Sequence, residues 1–304
     1  MGSRGAGTFG AMESWSFGES DEIVPGRRAV RLLGGGVRYE AYLAWDDRLR
    51  ALVVVKLLRP DRTQDHGALQ GLRGEAALLE RLAHPLLVRR FGAGLEGERP
   101  HVVLEFIEGP RLSTLNRRFG LSLEQVLPLA LNLASVLHYL AEEQVVHLDV
   151  KPRNVVMGGS PRLIDLSVAM GFEQLAEIRR PVGTDAYMAP EQCDPERFGT
   201  IGPPADVWGL GGTIHETLTG AQPFSPVAGE RFPQLRATPL PLPREVPPEL
   251  ATAVLACLEP RPEDRPTAGG LADVLEPLAG ALPPPRLGRF RPGGKALLGR
   301  LEHS

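Results

Sequence analysis

Between His147 and Asn154 the chain reads His-Leu-Asp-Val-Lys-Pro-Arg-Asn, which puts an acid, a lysine and an amide within six residues. Apolar runs flank it, Val145-Val146 before and Val155-Val156-Met157 after. Beyond them come Gly158-Gly159-Ser160-Pro161, then Arg162-Leu163-Ile164 and Asp165. Two short apolar runs around such a turn predict a hairpin. Folding back, the hairpin brings together the residues just outside its strands, here Asn154 and Asp165. A carboxylate beside an amide oxygen, with the second carboxylate Asp149 nearby, suits a magnesium ion that shares its remaining positions with phosphate oxygens and water.

Other elements must position this loop. Leu52 to Leu58 reads as a strand whose alternation sets Val54, Lys56 and Leu58 on one face. An ammonium on such a face must find an anion or lose its charge. The segment from about Ala68 to Leu82 has helical periodicity, and its stripe Leu72, Glu75, Leu79, Leu82 carries one carboxylate. Lys56 and Glu75 are each costly alone on apolar faces, and together they make a buried or half-buried pair. Upstream, Val30 to Leu33 and Val37 to Trp45 read as strands joined by the turn Gly34-Gly35-Gly36. Val102 to Phe106 is an apolar run that ends at Ile107-Glu108-Gly109-Pro110, a composition break expected to be a hinge. Val126 to Glu142 is apolar almost all round, as in a helix buried in a larger lobe.

Composition narrows the class. A chain of 304 residues with 42% hydrophobic content can bury a large core as one big domain or two lobes. A net charge of -3 gives no overall pull toward nucleic acid. Cys193 and Cys257 form no framework and no metal motif, so free thiols in a reducing cytoplasm are expected. No charge-free apolar run reaches transmembrane length, and the N-terminus lacks the form of a signal peptide. Of the 34 basic residues only Lys56, Lys151 and Lys295 are lysine. Such a chain keeps lysine where a compact ammonium is needed.

The ordered set of motifs resembles the serine/threonine protein kinases in their bacterial, eukaryotic-like (Hanks-type) form. His147 to Asn154 is similar to the family's catalytic loop, His-Arg-Asp-x-Lys-Pro-x-Asn. Gly183-Thr184-Asp185-Ala186-Tyr187-Met188-Ala189-Pro190-Glu191 resembles the stretch that closes its activation segment. Asp206-Val207-Trp208-Gly209-Leu210-Gly211 resembles the start of its central buried helix, and Arg265 the arginine that pairs with Glu191. The resemblance implies Asp149 as the base for a substrate hydroxyl and Lys151 steadying the transferred phosphoryl. It implies Asn154 and Asp165 as ligands of magnesium or manganese, and Lys56 paired with Glu75 to hold the ATP phosphates. It further implies nucleotide contacts from Gly34, Gly35, Gly36, Val37, Ala41, Val54, Lys56, Leu104, Glu105, Ile107 and Val156, with the adenine edge on backbone groups of Glu105 and Ile107.

Three positions depart from the family. Tyr39 stands at the third glycine of its G-x-G-x-x-G loop, Leu148 stands where most members have arginine, and Asp165-Leu166-Ser167 replaces Asp-Phe-Gly. They leave two readings: an enzyme moving the ATP γ-phosphate to serine or threonine of a protein, or a pseudokinase that keeps the fold and regulates a partner. A small-molecule kinase is disfavoured by Gly183 to Glu191, the form of the segment that receives a peptide. From Val168 to Val182 there is no serine, threonine or tyrosine. With Leu148, that predicts a member of the non-RD kind, without phosphate switching of this segment and controlled by a partner, the termini or a homodimer.

The expected fold is α+β and bilobal, with a small β-rich lobe over 24–108 and a larger helical lobe over 109–280. Residues 1–23 are expected to be a loose lead-in, with 1–11 a remnant of expression. Residues 281–304 are expected to be a proline-stiffened basic tail, a candidate docking strip for an acidic partner or membrane surface. The arginine-rich usage points to a GC-rich bacterial genome.

Overall fold

The computed structural model describes residues 13–281. Seven elements make the smaller lobe: β1 (Glu22–Val24), β2 (Arg27–Gly35), β3 (Tyr39–Asp46), β4 (Ala51–Leu58), α1 (His66–Arg81), β5 (Arg90–Gly94) and β6 (His101–Glu105). The strands form one antiparallel sheet in the order β1-β2-β3-β4-β6-β5. Its register sets Ala41 opposite Lys56 and Val54 opposite Leu104. Because directly opposed residues share a face, Ala41, Val54, Lys56 and Leu104 all look the same way, across the sheet toward α1 and the larger lobe. Asp65 caps α1, accepting from the Ala68 amide at 3.1 Å. The helix buries Ala68, Leu72, Ala76 and Leu79 together with Glu75.

The larger lobe starts with α2 (Leu112–Arg118), α3 (Leu123–Glu142), β7 (Val145–Val146), β8 (Val155–Met157) and β9 (Pro161–Leu163). It continues through β10 (Met170–Gly171), α4 (Phe172–Leu175), α5 (Pro190–Cys193), α6 (Pro195–Phe198), α7 (Pro203–Thr219), α8 (Pro248–Ala256) and α9 (Ala268–Gly280). The hairpin expected after Asn154 forms as β8 and β9, with Val155 opposite Leu163. Helix α3 buries Val126, Leu133, Leu137 and Leu140 among others, and its apolar surface joins that of α1, α7 and α9 in one core reaching both lobes.

Within residues 13–23, expected to be loose, Trp15 and Phe17 instead pack on the outer face of the sheet, and Glu22 and Ile23 already belong to β1. Trp15 donates its indole N–H to the Leu58 carbonyl at 2.7 Å, stacks with Phe17 and lies against Arg99. Phe17 meets Tyr42 edge to face. Two aromatics and their cation-π contacts outweigh the polar composition that pointed to a free segment. Residues 1–12 and the basic tail from 282 onward lie outside the described residues. No helix among the described residues is long and apolar enough to cross a membrane.

Candidate active site

Lys56 leaves the middle of β4 toward α1 and becomes the centre of a charge triad. Its Nζ lies 2.9 and 2.7 Å from the two Glu75 carboxylate oxygens and 2.7 Å from Asp165 Oδ1. Lys56 and Glu75 are buried, while 36% of the Asp165 side chain remains exposed. Burial alone would strip the ammonium of its proton, but the charges of Asp165 and Glu75 raise its pKa above the usual lysine value. Burial pushes the Asp165 carboxyl up, and Lys56 more than offsets this, holding it well below the carboxylate range. Glu75, the more deeply buried partner, is pushed upward by burial despite Lys56. One ammonium thus holds a strand, a helix and the residue after β9. Asp165 reaches it from a left-handed backbone, φ 71°, that few non-glycine residues adopt.

The second cluster lies on the loop between β7 and β8. Lys151 Nζ is 2.6 Å from Asp149 Oδ2 and 2.5 Å from the Thr184 hydroxyl, and that hydroxyl donates to Asp149 Oδ1 at 2.7 Å. Asn154 Nδ2 donates to the Asp149 carbonyl and to Oδ2, at 2.9 and 3.0 Å. The loop's backbone is fixed from below: buried Asp206, at the start of α7, accepts the His147 and Leu148 amides at 2.7 and 2.8 Å. Gly209, one helical turn on, lets α7 come up under the loop, because a Cβ there would meet Val150 at 2.9 Å.

The hairpin brings Asn154 and Asp165 together through its backbone, the Ile164 amide donating to the Asn154 carbonyl at 2.9 Å. Their side chains engage different partners, Asn154 turning to Asp149 and Asp165 to Lys56. Because Asn154 donates through Nδ2, its Oδ1 is left without a protein donor among the described residues. An ionised, partly exposed carboxylate and a free amide oxygen fit a hard cation that keeps further positions for phosphate and water.

Ala41 and Val54 are half-buried on the cleft face, with Leu104 and Val156 buried beside them. At the hinge, the Ile107 amide and carbonyl make no hydrogen bond among the described residues, which leaves them available to a ligand edge. The Glu105 side chain is occupied elsewhere, by Arg89 and Arg162. In the glycine turn the Gly36 amide is spent on the Tyr39 carbonyl at 3.0 Å, so the expected cradle over Gly34 to Val37 has one donor fewer. Val37, at the tip, is exposed.

The protein kinase domain family matches residues 28–275, well over half of the chain. The chain belongs to that family. It is 30% identical over 251 residues to the serine/threonine-protein kinase PknB of Mycolicibacterium smegmatis, covering 77% of this chain and 40% of that protein. It is 30% identical over 279 residues to the serine/threonine-protein kinase pkn2 of Myxococcus xanthus, covering 86% and 33%. For the serine/threonine-protein kinase PknA of Mycobacterium tuberculosis the figures are 29% over 286 residues, 88% and 65%. The kinase domain therefore spans between a third and two thirds of the length of these relatives.

Several residues of this kinase domain act at the site without having been singled out for it. Gln192 is buried and donates to the Leu148 and Val182 carbonyls at 2.9 and 2.8 Å, tying the end of the activation segment to the catalytic loop. Its sequence signal is only its place after Glu191. Thr184 lies in the Gly183–Glu191 stretch, the form that receives a peptide, but its bond to the Asp149 carboxylate is visible only in three dimensions. Tyr39, read as a missing glycine, presents its ring to Lys56 at 5.0 Å and donates its hydroxyl to the Ala68 carbonyl at 3.0 Å. The Glu191–Arg265 pair forms as the motif implied, bidentate at 2.7 and 2.8 Å with both side chains fully buried.

Proposed function

We propose that this kinase domain transfers the γ-phosphate of ATP to serine or threonine hydroxyls of proteins, using a divalent cation. The observation that carries the reading is the assembled triad: Lys56 is already paired with Glu75 and Asp165. An ammonium so held keeps its positive charge at a fixed place beside the cleft where phosphate oxygens would arrive. Asp149 Oδ1 already accepts a hydrogen bond from an aliphatic hydroxyl, that of Thr184, the donor type that a serine or threonine substrate brings. Lys151 keeps positive charge beside that carboxylate, where a phosphoryl group would arrive. Asn154 and Asp165 would hold magnesium, which when bound neutralises phosphate charge during transfer. Control is of the non-RD kind, through a partner, the termini or a second copy of the chain, and the setting is the cytoplasm.

The pseudokinase reading draws on Tyr39, Leu148 and the Asp165-Leu166-Ser167 variant. The retained charged set weighs more, because those side chains are the ones that would meet phosphate, metal and hydroxyl. The deciding experiment is incubation with Mg·ATP and a protein mixture, followed by phosphosite mass spectrometry, alongside Asp165→Asn. Loss of this carboxylate should lower the rate on the order of a thousandfold. Wild-type phosphorylation by a folded Asp165→Asn protein would refute the assignment.

A further inference from the structure

Two residues that break local rules meet in this structure. Tyr39 stands where the glycine loop of the family has its third glycine, and Gly71 sits inside α1, where a helix disfavours glycine. The Tyr39 side chain leaves β3 on the face that carries Lys56 and crosses to the first turn of α1. There its hydroxyl donates to the Ala68 carbonyl at 3.0 Å, and its ring lies 5.0 Å from Lys56 Nζ. A Cβ on residue 71 would lie 2.8 Å from that hydroxyl, closer than such contacts occur. The tyrosine reaches its acceptor because residue 71 has no side chain, whereas Gly67 and Gly74 of the same helix do not approach it.

We propose that Tyr39 and Gly71 form a latch that holds α1 in the position where Glu75 pairs with Lys56, with Tyr39 a positioning residue for the phosphotransfer site. This rests on the kinase reading above. A single ion pair fixes one point of a helix and leaves its axis free to swing. Ala68 lies seven residues before Glu75, about 10 Å along the axis, so the latch supplies a second attachment that fixes direction. It also couples the glycine turn directly to α1, since Tyr39 opens the strand leaving that turn. The middle of the activation segment cannot supply this hold through a phosphate: 168–182 contains no serine, threonine or tyrosine, and the Leu148 side chain offers no donor to grip one. The neutral hydroxyl and the ring above the ammonium do so with groups internal to the small lobe.

The test is backbone hydrogen exchange across Leu69–Leu79 in wild type, Gly71→Ala, Tyr39→Ala and the double variant. In wild type, a methyl at 71 displaces the hydroxyl, so the loss of one hydrogen bond, about three- to tenfold in exchange, opposes the roughly fivefold gain of alanine over glycine in a helix. In the Tyr39→Ala background the space is empty, so the same alanine, a better helix former than glycine, should slow exchange. The latch requires Gly71→Ala to slow exchange at least about threefold less in wild type than in Tyr39→Ala, and equal effects in the two backgrounds overturn it. Tyr39→Phe keeps the ring and loses the donor. It should speed α1 exchange, leave α7 exchange unchanged, and lower kcat by a similar factor at unchanged KM for ATP. Wild-type α1 exchange in Tyr39→Phe overturns the proposal. So does unchanged kcat beside faster exchange, or a lower KM with higher kcat in Tyr39→Ala, which would mean that the ring obstructs phosphate. Exchange needs no turnover, so the difference between backgrounds tests the latch even if the protein proves catalytically silent, an outcome that would count against the kinase reading alone.

Discussion

Activity of this kinase domain should not depend on a phosphate in its activation segment, and the reason lies in what surrounds Leu148. In members switched by such a phosphate, an arginine at this position grips it. Leu148 is 3% exposed and belongs to one apolar cluster with Val146, Leu175, Ala189 and Trp208, against which Val168, Met170, Ile178 and Val182 of the segment itself pack. Apolar burial thus orders the segment where a charge pair would otherwise do so. Leu148→Ala should cost about 2–5 kcal/mol, as for a buried leucine in a core. That is a large share of the roughly 5–15 kcal/mol that holds a domain together. Because Leu148 has φ 63°, Leu148→Ala keeps the left-handed strain, whereas Leu148→Gly should relieve about 1 kcal/mol of it. The measurements are hydrogen exchange over 168–182 with denaturant unfolding, and initial rates on an exogenous peptide after phosphatase treatment and removal. Expected are faster exchange in Leu148→Ala and an unchanged initial rate for dephosphorylated wild type. A large rate loss that recovers as phosphate returns to this segment would refute the reasoning, as would a Leu148→Ala cost under about 1 kcal/mol with the segment unaltered.

Arg265→Ala should destabilise by about 3–5 kcal/mol, because it strands the fully buried Glu191 carboxylate; urea unfolding checks this, and a cost near zero would contradict the buried pair. ATP should raise the melting temperature mainly when magnesium is present, since binding to the native state stabilises it by mass action; equal shifts with and without metal would remove Asn154 and Asp165 from the site. Burial pushes the Asp206 carboxyl up to about 6, partly countered by His147 and the two backbone amides it accepts, with Asp149 adding to the rise. Its folded value exceeds its unfolded one, so its contribution is full below about pH 4 and lost as pH rises through about 6, up to ~3 kcal/mol. A carboxyl-carbon NMR titration should give a midpoint near 6, and one below 4 would contradict this environment.

The α+β, two-lobed plan was legible in the sequence because alternation in Leu52–Leu58 and the stripe through Leu72, Glu75 and Leu79 are local signals that the core obeys. The Lys56–Glu75 pair was legible for the same reason: each charge sat on a face where it could not stay alone. Long-range terms were harder to read. Nothing near Trp15 announces the Leu58 carbonyl 43 residues away, and the polar stretch around it argued for a free lead-in. Asn154 and Asp165 were rightly brought together by their hairpin, but backbone proximity does not set side-chain direction. Asp165 turns to Lys56 because an ammonium 109 residues earlier in the chain is the strongest partner within reach.

The two lysines of the site, Lys56 and Lys151, have a structural reason. Lys56 Nζ serves three carboxylate oxygens, from Glu75 and Asp165, all within 2.9 Å. Three tetrahedral donors on one small atom can meet acceptors arriving from a helix on one side and a loop on the other. A planar guanidinium fork would align with one carboxylate and turn away from the second. Lys151 solves the same problem, reaching the Asp149 carboxylate and the Thr184 hydroxyl from one nitrogen. By contrast Arg265 meets a single carboxylate edge on, stacks over Trp208 at 4.9 Å and gives its remaining donors to backbone carbonyls in the same fork. Recognition at Arg265 is planar and suits a guanidinium, whereas at Lys56 and Lys151 one point charge is shared between two elements beside the cleft and suits an ammonium.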